Sequence, residues 1–264
     1  MAESLSIIIP AYNEAPRIGP SLEEVIRFAN DAAGEVEIIV VDDGSVDGTA
    51  EVVRVTRARM GPHRPRVELV QHERNRGKGV AVRTGFNQAA GDIVLFSDAD
   101  LSTPMSEAPR LLQPIAQDQC DIAVGSRGLD PSLIEVCQDG LRRRAGQFFN
   151  RIVRWMTPLD LRDTQCGFKA FRRLAAMPVF GLQRIDGFAF DVELLYVATK
   201  LGLRVLEVPV RWSHARQHSK VSILRDGARM GGDLCRIRLN DWRCRYRPSP
   251  RPANDRQAVP RAPR

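Results

Sequence analysis

The sequence has no segment that could cross a membrane, since nowhere do about 18 apolar residues follow one another. The apolar run near the N-terminus is short and ends at Pro10, so we expect no signal peptide. The five cysteines are scattered, odd in number and without a C-x-x-C pair, which disfavours a structural metal site and favours a reducing compartment. These absences predict a cytoplasmic protein.

Two phosphate-binding fingerprints are absent as well. The sequence contains no P-loop spacing, and no G-x-G-x-x-G follows the first apolar run. A different glycine loop, Asn75–Gly79, carries Lys78 directly ahead of a segment with helical periodicity. Such a loop can hold a phosphate with its backbone N–H groups, so it is a candidate nucleotide contact.

What the sequence does contain is the composition of an ordinary globular protein, with 43% hydrophobic and 27% charged residues. Its 264 residues are enough to bury a full core. The net charge of +7 comes largely from arginines that follow Arg142, and this asymmetry favours an anionic partner. Nucleotide phosphates, lipid headgroups and nucleic acids all qualify on charge alone.

Short apolar runs alternate with segments of helical periodicity over residues 1–127. This alternation predicts an α/β fold, in which a mostly parallel sheet carries helices on both faces. The apolar run Val205–Val210 contains Pro209, which cannot donate to a sheet ladder, so we place this strand at an edge. Residues 216–246 then form a basic amphipathic helical extension, and we expect the Pro- and Arg-rich tail at 247–264 to be disordered.

The segment Gly91–Asp100 carries the strongest local signal for chemistry. Its apolar residues Ile93–Phe96 predict a buried strand, and two carboxylates follow it at Asp98 and Asp100. Alternation along a strand puts both carboxylates on the same side of the backbone. Two such close carboxylates repel each other unless a cation lies between them, and hard oxygen ligands select Mg²⁺ or Mn²⁺. The sequence therefore predicts a divalent metal site, with an ordinary polar loop as the alternative.

Three motifs stand in order in the first half of the chain: Ile7–Glu14, Val41–Ser45 and Ser97–Asp100. In this order they resemble the signature of glycosyltransferase family 2, whose fold is called GT-A. Further motifs narrow the resemblance to the dolichyl-phosphate β-glucosyltransferases and the bacterial polyprenyl-phosphate sugar synthases. These further motifs are Asp163–Lys169, Phe190–Glu193 and Ser219–Lys220.

The resemblance implies one GT-A domain over residues 1–215, with a nucleotide half over about 1–127 and an acceptor half over about 128–215. It implies an inverting, metal-dependent enzyme that moves a sugar from a nucleotide-sugar donor to polyprenyl phosphate. UDP and glucose are the nucleotide and the sugar that the likeness favours. The residues implied at the nucleotide are Pro10, Ala11, Tyr12, Glu14, Asp42, Asp43, Lys78, Asp98 and Lys220.

The resemblance also implies which residues serve the reaction. Arg142, Arg143, Arg144 and Lys169 would neutralise the acceptor phosphate. Some of the acids have structural alternatives: Asp42 and Asp43 as turn formers, and Asp191 as a helix N-cap. A third metal ligand is open, because Ser102 stands where some lipid-phosphate mannosyl synthases carry a glutamine. The residues implied in catalysis are Asp98, Asp100, Asp163, Lys169, Asp191 and Glu193.

Two other functions are open on the sequence. A family-2 transferase can act on a sugar acid or a glycan, and a basic protein without catalysis can bind nucleic acid or a membrane surface. The ordered acidic and glycine motifs disfavour the latter, and we predict no nucleic-acid partner. Two basic amphipathic helices, over 141–156 and 221–239, would lie on an anionic membrane or pack on the sheet. A membrane protein partner is a third means of attachment.

Overall fold

The structure is a computed structural model that describes residues 3–60, 65–136, 149–157, 159–213 and 223–247. Its strands are β1 (Leu5–Ala11), β2 (Val36–Asp42), β3 (Arg66–Gln71), β4 (Ile93–Ser97), β5 (Ile122–Ser126), β6 (Ile134–Val136), β7 (Phe168–Arg172), β8 (Val205–Pro209) and β9 (Trp212–Ser213). Its helices are α1 (Ala15–Asp31), α2 (Thr49–Ala58), α3 (Lys78–Gln88), α4 (Ala108–Ala116), α5 (149–156), α6 (Arg173–Leu182), α7 (Phe190–Lys200) and α8 (Ile223–Trp242).

Seven strands form one sheet in the order β3-β2-β1-β4-β7-β5-β8. Neighbours run parallel except at β7, which is antiparallel to both β4 and β5. The predicted α/β fold with a mostly parallel sheet is therefore confirmed. β8 lies at the sheet edge, as its Pro209 predicts. β6 and β9 pair with each other in a separate small sheet.

β1 shows why the strands carry near-continuous apolar runs. Ile7 and Ile9 face one side of the sheet and Ile8 faces the other, and all three are fully buried. One side packs against α1, α2 and α4, and the other packs against α3, α6, α7 and α8. The helices therefore cover both faces, and the loops at the carboxyl ends of the parallel strands stay accessible.

The sequence analysis predicts no strand at β7, and the packing explains why. Phe168 and Ala170 face one side of the sheet and Phe171 faces the other, as in a buried strand. Lys169 stands between them and interrupts the apolar run, yet its side chain is fully buried. A buried lysine is recognisable only from its partners, which lie far away in the sequence.

Both basic amphipathic helices pack on the core where they are described. Val153 of α5 and Leu234 and Ile237 of α8 are buried in the same cluster. This favours packing on the sheet, one of the two fates that the sequence leaves open, for the apolar stripes. Trp155 and Trp242 do not join the cluster and are 86% and 80% exposed. Within the described ranges, no helix combines the length and the apolar character needed to span a bilayer.

Candidate active site

The candidate site lies where the order of the strands reverses. From β1 the chain moves to β2 and β3 on one side, and then returns to β4 on the other side of β1. In open α/β sheets, such a reversal leaves a crevice at the carboxyl ends of the two central strands. The crevice is flanked by Tyr12, which follows β1, and by Asp98 and Asp100, which follow β4.

Asp98 and Asp100 are both partly exposed, and Ala99 between them is buried, as the alternation predicts. The backbone N–H of Asp98 donates to the carbonyl oxygen of Gly167 at 3.1 Å, which ties the acid pair to β7. Oδ1 of Asp100 accepts the N–H of Ser102 at 3.0 Å. The pair is therefore held by backbone contacts, and its carboxylates face the crevice.

Lys78 reaches this acid pair from the first turn of α3. Its Nζ lies 2.5 Å from Oδ1 of Asp98 and 5.4 Å from the centre of the Phe96 ring. Burial acts to lower the pKa of Lys78, but the charges of Asp98, Asp191 and Asp100 raise it above its ordinary value. The lysine is therefore an ammonium ion that stands beside the predicted metal ligand.

Gly167 is a site residue that the sequence analysis does not single out. A Cβ at this position would collide with the carboxylate of Asp98. A glycine is thus required for Asp98 to lie against β7. The only signal in the sequence is its place inside the Asp163–Lys169 motif.

Lys169 and Asp191 form a buried ion pair. Nζ of Lys169 lies 2.6 Å from Oδ1 of Asp191 and donates to the carbonyl oxygen of Cys166 at 2.5 Å. Its side chain is 0% exposed, and its contact with an acceptor phosphate stays a prediction. The N-cap alternative for Asp191 is wrong, because the N-cap of α7 is Ala189.

Asp163 is held by Arg127 in a two-pronged ion pair. Nε of Arg127 lies 2.6 Å from Oδ2, and Nη2 lies 2.8 Å from Oδ1. Burial acts to raise the pKa of Asp163, but Arg127 outweighs it and holds the pKa below its usual value. These are the contacts of an acid that orients a cation, and they leave both carboxylate oxygens engaged.

Arg127 itself is a second residue that the sequence analysis overlooks. It follows β5, and its guanidinium lies 5.4 Å from the centre of the Trp212 ring. Burial acts to lower the pKa of Arg127, but Asp163 above all, and Asp98 to a smaller extent, raise it. Its position therefore adds a second cation to the edge of the sheet that carries the acid pair. The sequence signal for Arg127 is weak, because nothing local distinguishes this arginine from the many others in the chain.

Glu193 accepts hydrogen bonds at both carboxylate oxygens, and its role in the reaction stays a prediction. It is two residues from Asp191 on α7, so the two side chains leave opposite sides of the helix. Its Oε2 accepts the N–H groups of Arg184 and Ile185 at 2.9 and 2.7 Å, and its Oε1 accepts the hydroxyl of Tyr246 at 2.5 Å. Burial raises the pKa of Glu193.

Asp42 and Asp43 are buried beneath the loops that flank the crevice. Asp42 accepts the N–H of Ser45 at 3.0 Å, the contact expected of a turn former. Asp43 accepts the N–H groups of Arg76 and Gly77 at 2.9 and 2.8 Å, so it anchors the glycine loop ahead of Lys78. A nucleotide contact for either acid stays a prediction.

The β1 loop brings the other predicted nucleotide residues to the crevice. Pro10 and Ala11 are buried at the end of β1, whereas Tyr12 is 40% exposed. Glu14 pairs with Arg17 at 2.9 Å in the first turn of α1. An exposed aromatic ring at this position suits stacking on a nucleotide base. Lys220, Ser219, Arg142, Arg143 and Arg144 lie outside the described residues.

The donor atoms at the acid pair fit a hard divalent cation. Within the part of the chain that the structure describes, no group of three acidic, histidine or cysteine side chains gathers around one point. Mg²⁺ is commonly held by only one or two carboxylates, together with water and substrate phosphates. Two oxygen-bearing side chains that face an open crevice therefore suit Mg²⁺ or Mn²⁺ and not a softer metal.

The strand order and the helices on both faces of the sheet define a GT-A-like α/β fold. The family model described as "Glycosyl transferase family 2" matches residues 6–180, and the chain belongs to this family of glycosyltransferases. Both the predicted family and the predicted fold are confirmed.

The chain is 32% identical over 248 residues to the dolichyl-phosphate beta-glucosyltransferase of Saccharomyces cerevisiae, covering 89% of this chain and 74% of that protein. It is 37% identical over 244 residues to the Drosophila melanogaster enzyme of the same name, covering 88% and 74%. Its fold is similar to glucosyl-3-phosphoglycerate synthase from Mycobacterium tuberculosis, solved with Mn²⁺, UDP and phosphoglyceric acid. That match has a TM-score of 0.67 at 20% identity and covers 95% of this chain and 81% of the other.

Proposed function

We propose that the protein transfers glucose from UDP-glucose to a polyprenyl phosphate, with inversion at the anomeric carbon and with Mg²⁺ or Mn²⁺. The observation that carries the proposal is the partly exposed pair Asp98 and Asp100 at the strand reversal, with Lys78 beside it. Support for the acceptor and the sugar comes from the names of the sequence relatives, which are dolichyl-phosphate beta-glucosyltransferases.

Asp98 and Asp100 would hold the metal ion, which when bound supplies charge stabilisation to the diphosphate leaving group. Lys78 is already directed at this position, and its ammonium adds a second positive charge there. Arg127 stands further along the same edge of the sheet, where it can orient an anionic group of donor or acceptor. Asp163 holds that guanidinium in place and so acts through it.

A phosphate acceptor would need orientation and charge neutralisation more than a general base. A phosphate monoester has a second pKa of about 6, so its oxygen is already mostly ionised at neutral pH. This agrees with the engaged state of the other acids named for catalysis. Asp163 pairs with Arg127, Asp191 pairs with Lys169, and Glu193 is bonded to two backbone amides and a tyrosine.

Attachment to the membrane is the remaining part of the proposal. Trp155 and Trp242 are highly exposed, with Arg154 and Arg243 as exposed neighbours in sequence. Indole rings and arginines suit the interface of an anionic bilayer. We place peripheral contact with the cytoplasmic membrane face at these tryptophans, because the apolar stripes of α5 and α8 are taken up by the core.

One assay tests donor, metal and acceptor together. The protein is incubated with radiolabelled UDP-glucose or GDP-mannose, with Mn²⁺ or a chelator, and with a short polyprenyl phosphate. Label is expected in the organic phase only with UDP-glucose and metal. Transfer in the chelator contradicts the metal role, and transfer to a sugar acid supplied in place of the polyprenyl phosphate, with none to the lipid, supports a non-lipid acceptor instead.

A further inference from the structure

The first turn of α3, which carries Lys78, is held by the segment 183–186 that precedes α7. The N–H of Gly79 donates to the carbonyl oxygen of Asp186 at 2.8 Å. The side-chain amide of Gln183 donates to the carbonyl oxygen of Gly79 at 2.9 Å. Gly77 has φ of 102° and has no room for a Cβ against the carbonyl oxygen of Asp186. The position of Lys78 therefore depends on where this segment lies.

The segment 183–186 is held in turn by Glu193. The N–H groups of Arg184 and Ile185 both donate to Oε2 of this residue, at 2.9 and 2.7 Å. Glu193 is completely buried, and a buried carboxylate that loses a partner is strongly disfavoured. Loss of the remaining partner of the Glu193 carboxylate would therefore disturb its hydrogen bonds to the two amides.

That remaining partner is Tyr246, which follows the end of α8. Its hydroxyl donates to Oε1 of Glu193 at 2.5 Å, and the side-chain amide of Asn240 donates to the same hydroxyl at 3.3 Å. Tyr246 is 1% exposed, and its ring packs edge-on against Tyr196 with centroids 6.1 Å apart. A continuous series of hydrogen bonds thus connects the C-terminal part of the described chain to the turn that carries Lys78.

We propose that Tyr246 is a positioning residue, which acts through Glu193 and the segment 183–186 to fix the first turn of α3 and with it Lys78. The effect on catalysis rests on the proposed role of Lys78 beside the metal and the donor diphosphate. The hydrogen bonds that hold the first turn of α3 do not depend on that role. Without the tyrosine hydroxyl, Oε1 of Glu193 loses its shortest hydrogen bond, and the segment that Oε2 holds gains freedom to move.

Tyr196 offers a matched control on the same pair of helices. Its hydroxyl donates to Oδ2 of Asp241 at 2.6 Å, so it also joins α7 to α8 through a tyrosine and a carboxylate. Among the described contacts of Tyr196, none reaches the segment 183–186. Tyr196→Phe therefore keeps the ring that packs against Tyr246 and removes only a bond between α7 and α8 that is not part of the path to Lys78.

The experiment compares Tyr246→Phe with Tyr196→Phe by amide hydrogen exchange, UDP affinity in Mn²⁺ and steady-state kinetics. We expect faster exchange at Gly79 and Ile185, and about fivefold weaker UDP binding, in Tyr246→Phe alone. We also expect a higher KM for the donor and an unchanged KM for the acceptor. A merely structural loss lowers the fraction of active protein and leaves both KM values unchanged.

A double-mutant cycle that combines Tyr246→Phe with Glu193→Gln tests the proposed series of hydrogen bonds. If Tyr246 acts through Glu193, the effects of the two substitutions on UDP affinity are not additive. Equal exchange rates and UDP affinities in the two tyrosine variants would overturn the proposal, as would additive effects. Should Tyr246→Phe fail to fold, Asn240→Ala takes its place, because it removes the amide that donates to the Tyr246 hydroxyl. This variant must show the same changes in amide exchange and UDP affinity. If the wild-type protein does not bind UDP, the proposed function fails, whereas exchange at Gly79 still tests the fixation.

Discussion

The acidic residues of this protein fall into two regions that differ in what surrounds each carboxylate. At the strand reversal, Asp98 and Asp100 are partly exposed, and the Asp98 side chain keeps 35% of its surface accessible. Later in the chain, Asp163, Asp191 and Glu193 are buried, each with a partner for its carboxylate. The two regions differ in access: solvent reaches the carboxylates of the acid pair, although Lys78 contacts Oδ1 of Asp98, whereas the buried carboxylates are enclosed with their partners. Accessibility therefore distinguishes a carboxylate that can take a metal from one that holds the structure.

The largest expected effect is loss of transfer in Asp98→Asn or Asp100→Asn. Each substitution removes a charge that faces the proposed metal, so turnover should fall by about 10³-fold or more while the melting temperature stays close to that of the wild type. Turnover and melting are measured with Mn²⁺ and with a chelator. Asp92→Asn, at the other end of β4, is the matched control and should remain active. Full activity in either variant, or in the chelator, rejects the metal role.

The buried acids should respond in the opposite way. Lys169→Met leaves Asp191 as an unpaired buried charge, and we expect unfolding free energy to fall by about 3–5 kcal/mol. Urea unfolding measures this loss. The double variant Lys169→Met with Asp191→Leu replaces the pair by apolar groups and should recover most of the stability. A small loss in the single variant would mean that the pair is not enclosed as the structure has it.

Lys78→Met tests whether the lysine competes with the proposed metal ion for Asp98. The Lys78 ammonium occupies Oδ1 of Asp98, so its removal should strengthen binding of Mn²⁺ without nucleotide by about tenfold and weaken binding of UDP. Electron paramagnetic resonance counts free Mn²⁺, and calorimetry measures UDP. Lys200→Met breaks an ion pair with Asp241, remote from the acid pair, and serves as the control. Unchanged Mn²⁺ affinity in Lys78→Met argues against competition for Asp98.

Asp42 combines features of both regions, because it is buried and yet is the last residue of β2, beside the crevice. If it accepts a hydrogen bond from the uracil base, UDP should bind more tightly than GDP, and Asp42→Asn should reduce that preference by about tenfold. Calorimetric titration of both nucleotides measures the preference. Asp47→Asn, in the same loop, is expected to keep it. Tighter binding of GDP by the wild-type protein contradicts the assignment of a uridine nucleotide.

The smallest expected effect concerns the exposed tryptophans. Trp155→Ser and Trp242→Ser should each reduce sedimentation with anionic liposomes a few-fold, and high salt should release the wild-type protein, since each nearby basic side chain contributes about 1 kcal/mol. UDP affinity should not change. Leu174→Ser removes an exposed apolar side chain of α6. This control tests whether the loss of any exposed apolar side chain reduces sedimentation to the same extent. Equal sedimentation with anionic and neutral liposomes contradicts attachment through these tryptophans.

The accuracy of sequence-based prediction differs between these two regions for a physical reason. Asp98 and Asp100 are adjacent to a buried strand, and the period of that strand puts both on one side, so local pattern is sufficient. Lys169 interrupts the apolar pattern of β7, and its partner Asp191 lies 22 residues away. The role of Glu193 depends on Tyr246, which is 53 residues away. Periodicity over a few residues cannot predict contacts between residues so far apart in the sequence.

By itself, the sequence determined the alternation of strands and helices, the edge position of the strand with Pro209, and the acid pair after β4. These follow from apolar periodicity and backbone stereochemistry, which act over a few residues. Only the tertiary structure decided that β7 runs antiparallel, that Lys78 and not Lys169 faces the acid pair, and that Glu193 turns away from it. The reason is that burial and pairing of charge depend on which distant segments pack together, and a buried charge is tolerated only where such a segment brings its partner.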